Sequence, residues 1–109
     1  MTFERACAVA DVLEDEALGV TVGAQSVAVA RHGEELFALQ DLCSHAAVAL
    51  SEGEVADCTV ECWLHGSRFD LRTGKPVNLP ATEPVQTYPT TIEGDTVLVD
   101  LSATGAETA

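Results

Sequence analysis

Cys43-Ser44-His45, then sixteen residues, then Cys62-Trp63-Leu64-His65: in this pattern each short segment supplies one thiol and one imidazole. A Cys and a His separated by one residue in the first segment and by two in the second can each cap a tight turn. Two such turns brought together would clamp a small inorganic core. An ordinary zinc finger pairs its two cysteines in one knuckle and sets its two histidines on a helix, whereas here each segment contributes one of each. A structural Cys₂His₂ zinc site, and a buried thiol pair with surface histidines, are the competing readings of the same four residues.

Outward from the motif the chain reads as short β-segments separated by turn signals, with no sustained helical period. The spacing predicts strands over 2–8, 17–22, 26–31 and 35–39, with Arg31-His32-Gly33-Glu34 as a hairpin connection and a single helical turn over 11–14. A strand over 54–62 leads into the second half of the motif, and one over 67–70 leads out. Leu71-Arg72-Thr73-Gly74-Lys75-Pro76 is a turn by its Gly and Pro content. The clearest hairpin is a strand over 85–92, the turn Glu93-Gly94-Asp95, and a strand over 96–101 carrying alternating Val97, Val99 and Leu101. The small, polar end, 102–109, reads as disordered. The fold class expected is all-β, in a single domain over 1–109 with a small lobe at about 40–80 inserted into a strand framework.

At 109 residues the chain has room for one modest core and none for a second catalytic unit. Hydrophobic residues make up 47% but aromatics only 5%, so Val, Leu and Ala must fill that core. No apolar run approaches the roughly 18 residues of a membrane span, and Met1-Thr2-Phe3-Glu4-Arg5 lacks a signal-peptide pattern, so a soluble, cytoplasmic protein is expected. The net charge of −13 argues against nucleic acid and anionic membranes as partners. It favours encounter with a basic patch on another protein, against the plainer reading of a solubilising surface. Four cysteines in such a chain are not read as two disulfides. Cys7 and Cys58, outside the motif, are read as small buried hydrophobes within strands.

The run from Cys43 through Cys62-x-x-His65-Gly66 to Phe69-Asp70-Leu71-Arg72-Thr73-Gly74 resembles the cluster-binding region of Rieske proteins, above all the small Rieske ferredoxins that feed electrons to multicomponent oxygenases. The specific match covers about 36–80. The resemblance implies a Rieske-like β-sandwich or barrel framework holding one Rieske-type [2Fe-2S] cluster, with Cys43 and Cys62 on one iron and His45 and His65 on the other. It also places Ser67, two residues after the second His, as a donor to a cluster sulfide. A bound cluster would help a core so poor in aromatics stay folded, because metal-binding free energy is also folding free energy.

An oxidised [2Fe-2S] core carries about +2, so two thiolates leave the site near neutral where four would leave about −2, and the neutral site accepts an electron more readily. Respiratory Rieske proteins, which carry a membrane anchor, have a further cysteine in each ligand loop, joined by a disulfide. Here Val48 and Leu64 stand at the corresponding positions, so packing and hydrogen bonds alone must hold the loops. Those proteins also have a Tyr where this chain has Phe69, which cannot donate to a cluster sulfur. A potential low in the Rieske range, roughly −150 to 0 mV, is expected.

Trp63 either covers the cluster from water or anchors a partner. Arg68, Arg72 and Lys75 either pair with nearby carboxylates or mark a docking face, and His32 is read as an exposed turn residue. The function implied is a one-electron carrier, not an enzyme, that takes electrons from a flavin-dependent ferredoxin reductase, passes them to a terminal oxygenase, and works as a monomer. Set against it are a Rieske-like component of iron–sulfur cluster assembly or redox sensing, a zinc-stapled interaction module, and a small subunit of a nitrite reductase. The last is disfavoured because all four ligand residues are present.

Overall fold

The computed structural model describes residues 3–43, 48–64, 66–78 and 82–101. The tail expected to be disordered, together with Ser44, His45 and His65 of the motif, lies outside them. The strands are β1 (Phe3–Ala8), β2 (Ala17–Val22), β3 (Gln25–His32), β4 (Glu35–Gln40), β5 (Val55–Ala56), β6 (Thr59–Glu61), β7 (Arg68–Asp70), β8 (Thr87–Tyr88), β9 (Thr90–Glu93) and β10 (Thr96–Asp100). They form three sheets of order β1-β10-β9, β2-β3-β4-β8 and β5-β6-β7, all antiparallel. Short 3₁₀ turns at Val9–Asp11 and Leu50–Glu52 are the only helical pieces among the described residues. None of the helices is long and apolar enough to cross a membrane.

The all-β class stands, with the third sheet as the inserted lobe. Strand β3 explains the arrangement. Its residues 27–30 are buried without a break, yet they alternate between two cores. Val27 and Val29 pack with Val22, Ala38, Val97 and Val99, toward the sheet that joins the chain ends. Ala28 and Ala30 pack with Leu39, Val55, Val60 and Phe69, toward the lobe. A sheet buried on both faces reads as a continuous apolar run, and the small alanines on the lobe side let the β5-β6-β7 unit approach closely.

Three expectations change. The strand over 54–62 is two strands, because Asp57 and Cys58 both take positive φ (54° and 59°) and turn β5 back on β6. Two central residues at positive φ suit the twist of a tight hairpin, and Asn-Gly is its usual signal; Asp-Cys carries half of that signal. Cys58 is therefore a half-buried turn residue, not a buried strand residue, while Cys7 is buried in β1 as expected. The strand over 85–92 breaks at Pro89, which has no N–H to donate: β8 pairs with β4 before it, and β9 with β10 after it. The Pro89 carbonyl still accepts the Asp100 amide, at 3.0 Å. The helical turn expected over 11–14 forms two residues earlier, leaving Val12 extended and buried.

The lobe is tied to the central sheet by a polar strap. Arg72 donates from Nη2 to Glu35 Oε1 at 2.8 Å and from Nη1 to Oε2 at 3.2 Å, and its guanidinium lies 5.4 Å from the centre of the Phe37 ring. These hydrogen bonds hold the Glu35 carboxyl below its ordinary value. A lowered folded-state value means that the strap's stabilisation is present above the unfolded value, about 4.3, and is lost as pH falls through the folded one. Because both partners are exposed, Glu35→Gln should lower Tm only slightly at pH 7, with the difference from wild type shrinking as pH falls below about 4.3 and in about 1 M salt. Thermal melts followed by circular dichroism across pH and salt check this.

Candidate cluster-binding site

The first ligand segment leaves β4 through Gln40 and Asp41. The Gln40 amide donates to Gln86 O (2.9 Å) and the Asp41 amide to Ser26 O (3.1 Å), which fixes the strand end before Cys43. Cys43 is 3% exposed and its amide donates to Val48 O at 3.0 Å, drawing the segment back on itself. Leu50, fully buried, anchors the return.

The second segment leaves β6 at Cys62, also fully buried. Two backbone hydrogen bonds close it: the Cys62 amide to Ser67 O (2.6 Å) and the Gly66 amide to Cys62 O (2.8 Å). Gly66 has φ +83°, a conformation that glycine adopts without the cost a side chain would bring, and this lets so short a loop return to β7. The chain then runs through the expected turn, closed by the Gly74 amide on Asp70 O (2.7 Å) and the Asp70 amide on Lys75 O (2.9 Å). Beyond Pro76, the Asn78 side chain lies across the second loop. Its Oδ1 accepts the Arg68 amide (2.7 Å), and its Nδ2 donates to Gly66 O (3.3 Å).

Two separate loops thus deliver Cys43 and Cys62 into one buried cluster with Val60, Phe69 and Leu71. No disulfide engages either cysteine. Ser67 and Phe69, at the positions singled out from the sequence, are both fully buried in the same lobe. Soft sulfur donors in a dry, apolar setting suit an iron–sulfur group, whose potential depends on burial and on hydrogen bonds to sulfur. The described part of the donor set therefore fits such a group. His45 and His65 lie outside the described residues. Among the described residues no group of three or more His, Cys, Asp or Glu side chains gathers as a further metal site.

Around this end the surface is unusually apolar for so acidic a chain. Leu42 (50% exposed), Trp63 (48%), Leu64 (44%) and Val77 (55%) all flank the loops. Trp63 is about half exposed, which leaves apolar surface for a contact and is compatible with covering the site as well. Of the two loop positions that carry cysteines in respiratory proteins, Val48 packs on the lobe core and Leu64 is exposed. Two of the nearby cations are engaged structurally: Arg68 with Glu54 (3.3 Å) and Thr59 (2.9 Å), and Arg72 with Glu35. His32 ends β3 with Nδ1 3.2 Å from Asp15 Oδ1, partly exposed. Sequence reasoning missed Asp41, Ser51 and Asn78, whose contacts around the loops span ten or more residues and leave no local pattern.

Comparison with known proteins agrees with this geometry. The chain is 46% identical over 101 residues to the ferredoxin component of biphenyl 2,3-dioxygenase from Rhodococcus jostii RHA1, covering 93% of this chain and 94% of that protein. The ferredoxin of carbazole 1,9a-dioxygenase from Nocardioides aromaticivorans IC177 superposes with a TM-score of 0.85 at 34% identity, over 91% of this chain and 97% of that one. A chain from a complex of reduced oxygenase and oxidised ferredoxin in carbazole 1,9a-dioxygenase superposes with a TM-score of 0.82 at 30% identity, covering 98% and 95% of the two chains. The sequence model of the Rieske [2Fe-2S] domain matches residues 2–89. With its two motif cysteines buried together at the end of an all-β framework, the chain belongs to the Rieske [2Fe-2S] domain family.

Proposed function

We propose that the chain is a ferredoxin of an oxygenase system, carrying one electron at a time from a flavin-dependent reductase to a terminal oxygenase. The observation that carries this reading is the delivery of Cys43 and Cys62, from two loops, into one dry lobe whose rim is apolar and exposed. The cofactor is one Rieske-type [2Fe-2S] cluster. In the proposed ligand set Cys43 and Cys62 hold one iron and His45 and His65 the other. When bound, the cluster supplies one-electron redox chemistry at a potential raised by its histidine ligands. The relatives that support the role are components of dioxygenases, and one superposable chain comes from a complex with an oxygenase.

The chain's own residues supply the setting. Burial of both cysteines excludes water from the sulfur side. The Ser67 hydroxyl, buried beside them, is proposed to stabilise the charge gained on reduction by donating to a sulfide. Phe69, equally buried, adds no donor, which keeps the potential low. Leu42, Trp63, Leu64 and Val77 are proposed to meet the partner at the rim, where an apolar contact shortens the distance an electron must cross. The charge of −13 speeds encounter with a basic partner face. A monomer suits alternate visits to two partners through one end. The cytoplasm is the proposed compartment, a reducing setting that matches cysteines held outside disulfides.

Anaerobic coulometry of the iron-loaded protein tests the carrier role: one electron per chain is expected, and zinc with no reducible group would overturn it. With a reductase partner, the electron-transfer rate constant should fall steeply as salt rises from about 20 to 500 mM, since a Debye length of about 8 Å at physiological ionic strength already screens most surface charge. Stopped-flow absorbance reads that slope. Phe69→Tyr should raise the midpoint potential, by about 60 mV if the new hydroxyl favours the reduced state by about 1.4 kcal/mol. Protein-film voltammetry measures the difference.

A further inference from the structure

The two ligand loops are closed by different means. The second is short and carries its own pair of backbone hydrogen bonds, Cys62 to Ser67 and Gly66 to Cys62. The first is longer. Between Asp41 and the 3₁₀ turn at Leu50–Glu52, the described backbone offers one bond across it, from the Cys43 amide to Val48 O. No disulfide supplements it.

What closes the first loop at its base is a side chain. Asp41 uses both carboxylate oxygens on a single residue: Oδ1 accepts the Ser51 amide at 2.7 Å, and Oδ2 accepts the Ser51 hydroxyl at 2.8 Å. Hydrogen bonds to an ionised acceptor are stronger than neutral ones, and a two-point contact fixes orientation as well as distance. The clamp is itself wedged in place. The Asp41 amide is held by Ser26 O, and β2 runs so close that a Cβ on Gly19 would stand 2.7 Å from Ser51 Oγ and 2.8 Å from Asp41 Oδ2. A side chain at that position would have to push the clamp's own oxygens aside. The clamp therefore joins three points: the end of β4, the exit of the loop and the β2 edge of the central sheet.

We infer that Asp41 and Ser51 are positioning residues for the cluster, whose two-point hydrogen bond holds the first ligand loop at the spacing its Cys43 and His45 need. The inference rests on the ligand assignment proposed above. Groups that orient ligands without touching the metal change its retention by about 10- to 100-fold when removed. The clamp lies on the lobe side of the central sheet, away from the β1-β10-β9 core, so its loss should act on the cluster more than on the fold.

The test follows release of iron from the loaded, oxidised protein to a chelator, by loss of visible absorbance, together with the EPR spectrum of the reduced form. Asp41→Ala should release iron roughly tenfold faster than wild type. Ser51→Ala, which keeps the amide contact, and Asp41→Asn, which keeps an acceptor for that amide, should fall between. Val97→Ala, a core change in β10, serves as the comparison: it should lower Tm at least as much while leaving iron release and the EPR line shape near wild type. Altered g anisotropy in Asp41→Ala or Ser51→Ala, absent from Val97→Ala, supports positioning. Wild-type release rates and spectra in both clamp variants, or release no faster than in Val97→Ala, overturn it. Ser51→Ala carries the test alone if Asp41→Ala does not fold. Wild-type protein that takes up no cluster at all would instead bring down the ligand assignment, and this inference with it.

Discussion

Burial of β3 on both faces is the constraint on which the rest of the structure depends. Four consecutive buried residues divide their side chains between two cores, the valines toward the sheet that joins the chain ends and the alanines toward the cluster lobe. That division lets a domain with few aromatics support a lobe of three very short strands. Strands of two and three residues are marginal by themselves. They persist here because Val55, Val60 and Phe69 pack on Ala28, Ala30 and Leu39. The loops that carry Cys43 and Cys62 emerge from this contact, so the precision of the site is inherited from the sheet beneath it.

Charge and apolar surface divide the outside in a similar way. The acids give the whole molecule a field that attracts basic partners, while two of the cations nearest the lobe, Arg68 and Arg72, are drawn into structural pairs with Glu54 and Glu35. Four of the large exposed apolar side chains lie beside the ligand loops. Long-range attraction and short-range contact are thus supplied by different residues. Such a division suits a carrier, which must find its partner quickly and also leave it, since rim charges govern association more than residence.

Much of this was legible in the residues. Strands β2, β3 and β4 followed from short β-type runs and the turn signals between them, and the Cys-His pattern resembled that of Rieske proteins, with its two cysteines now found in one buried lobe. The hairpin at Asp57-Cys58 was hidden because its turn lacks glycine, so residues 54–62 looked like one continuous strand. The sheet change at Pro89 was hidden for the converse reason: a run that is β on both sides of a proline does not reveal that the two sides pair with different sheets. Asp41 and Ser51 could not be read at all, since an aspartate two residues before a cysteine and a serine in a turn are each unremarkable until folding sets them 2.7 Å apart.

The central claim is that two loops place a histidine-ligated cluster at the end of this fold. An EPR-monitored redox titration of the anaerobically purified protein tests it most directly. A rhombic signal with the low average g value of histidine ligation, appearing as the potential falls through roughly −150 to 0 mV, is the predicted result. A signal with the higher average g value of an all-cysteine cluster, or no signal with stoichiometric zinc and no sulfide, would contradict it.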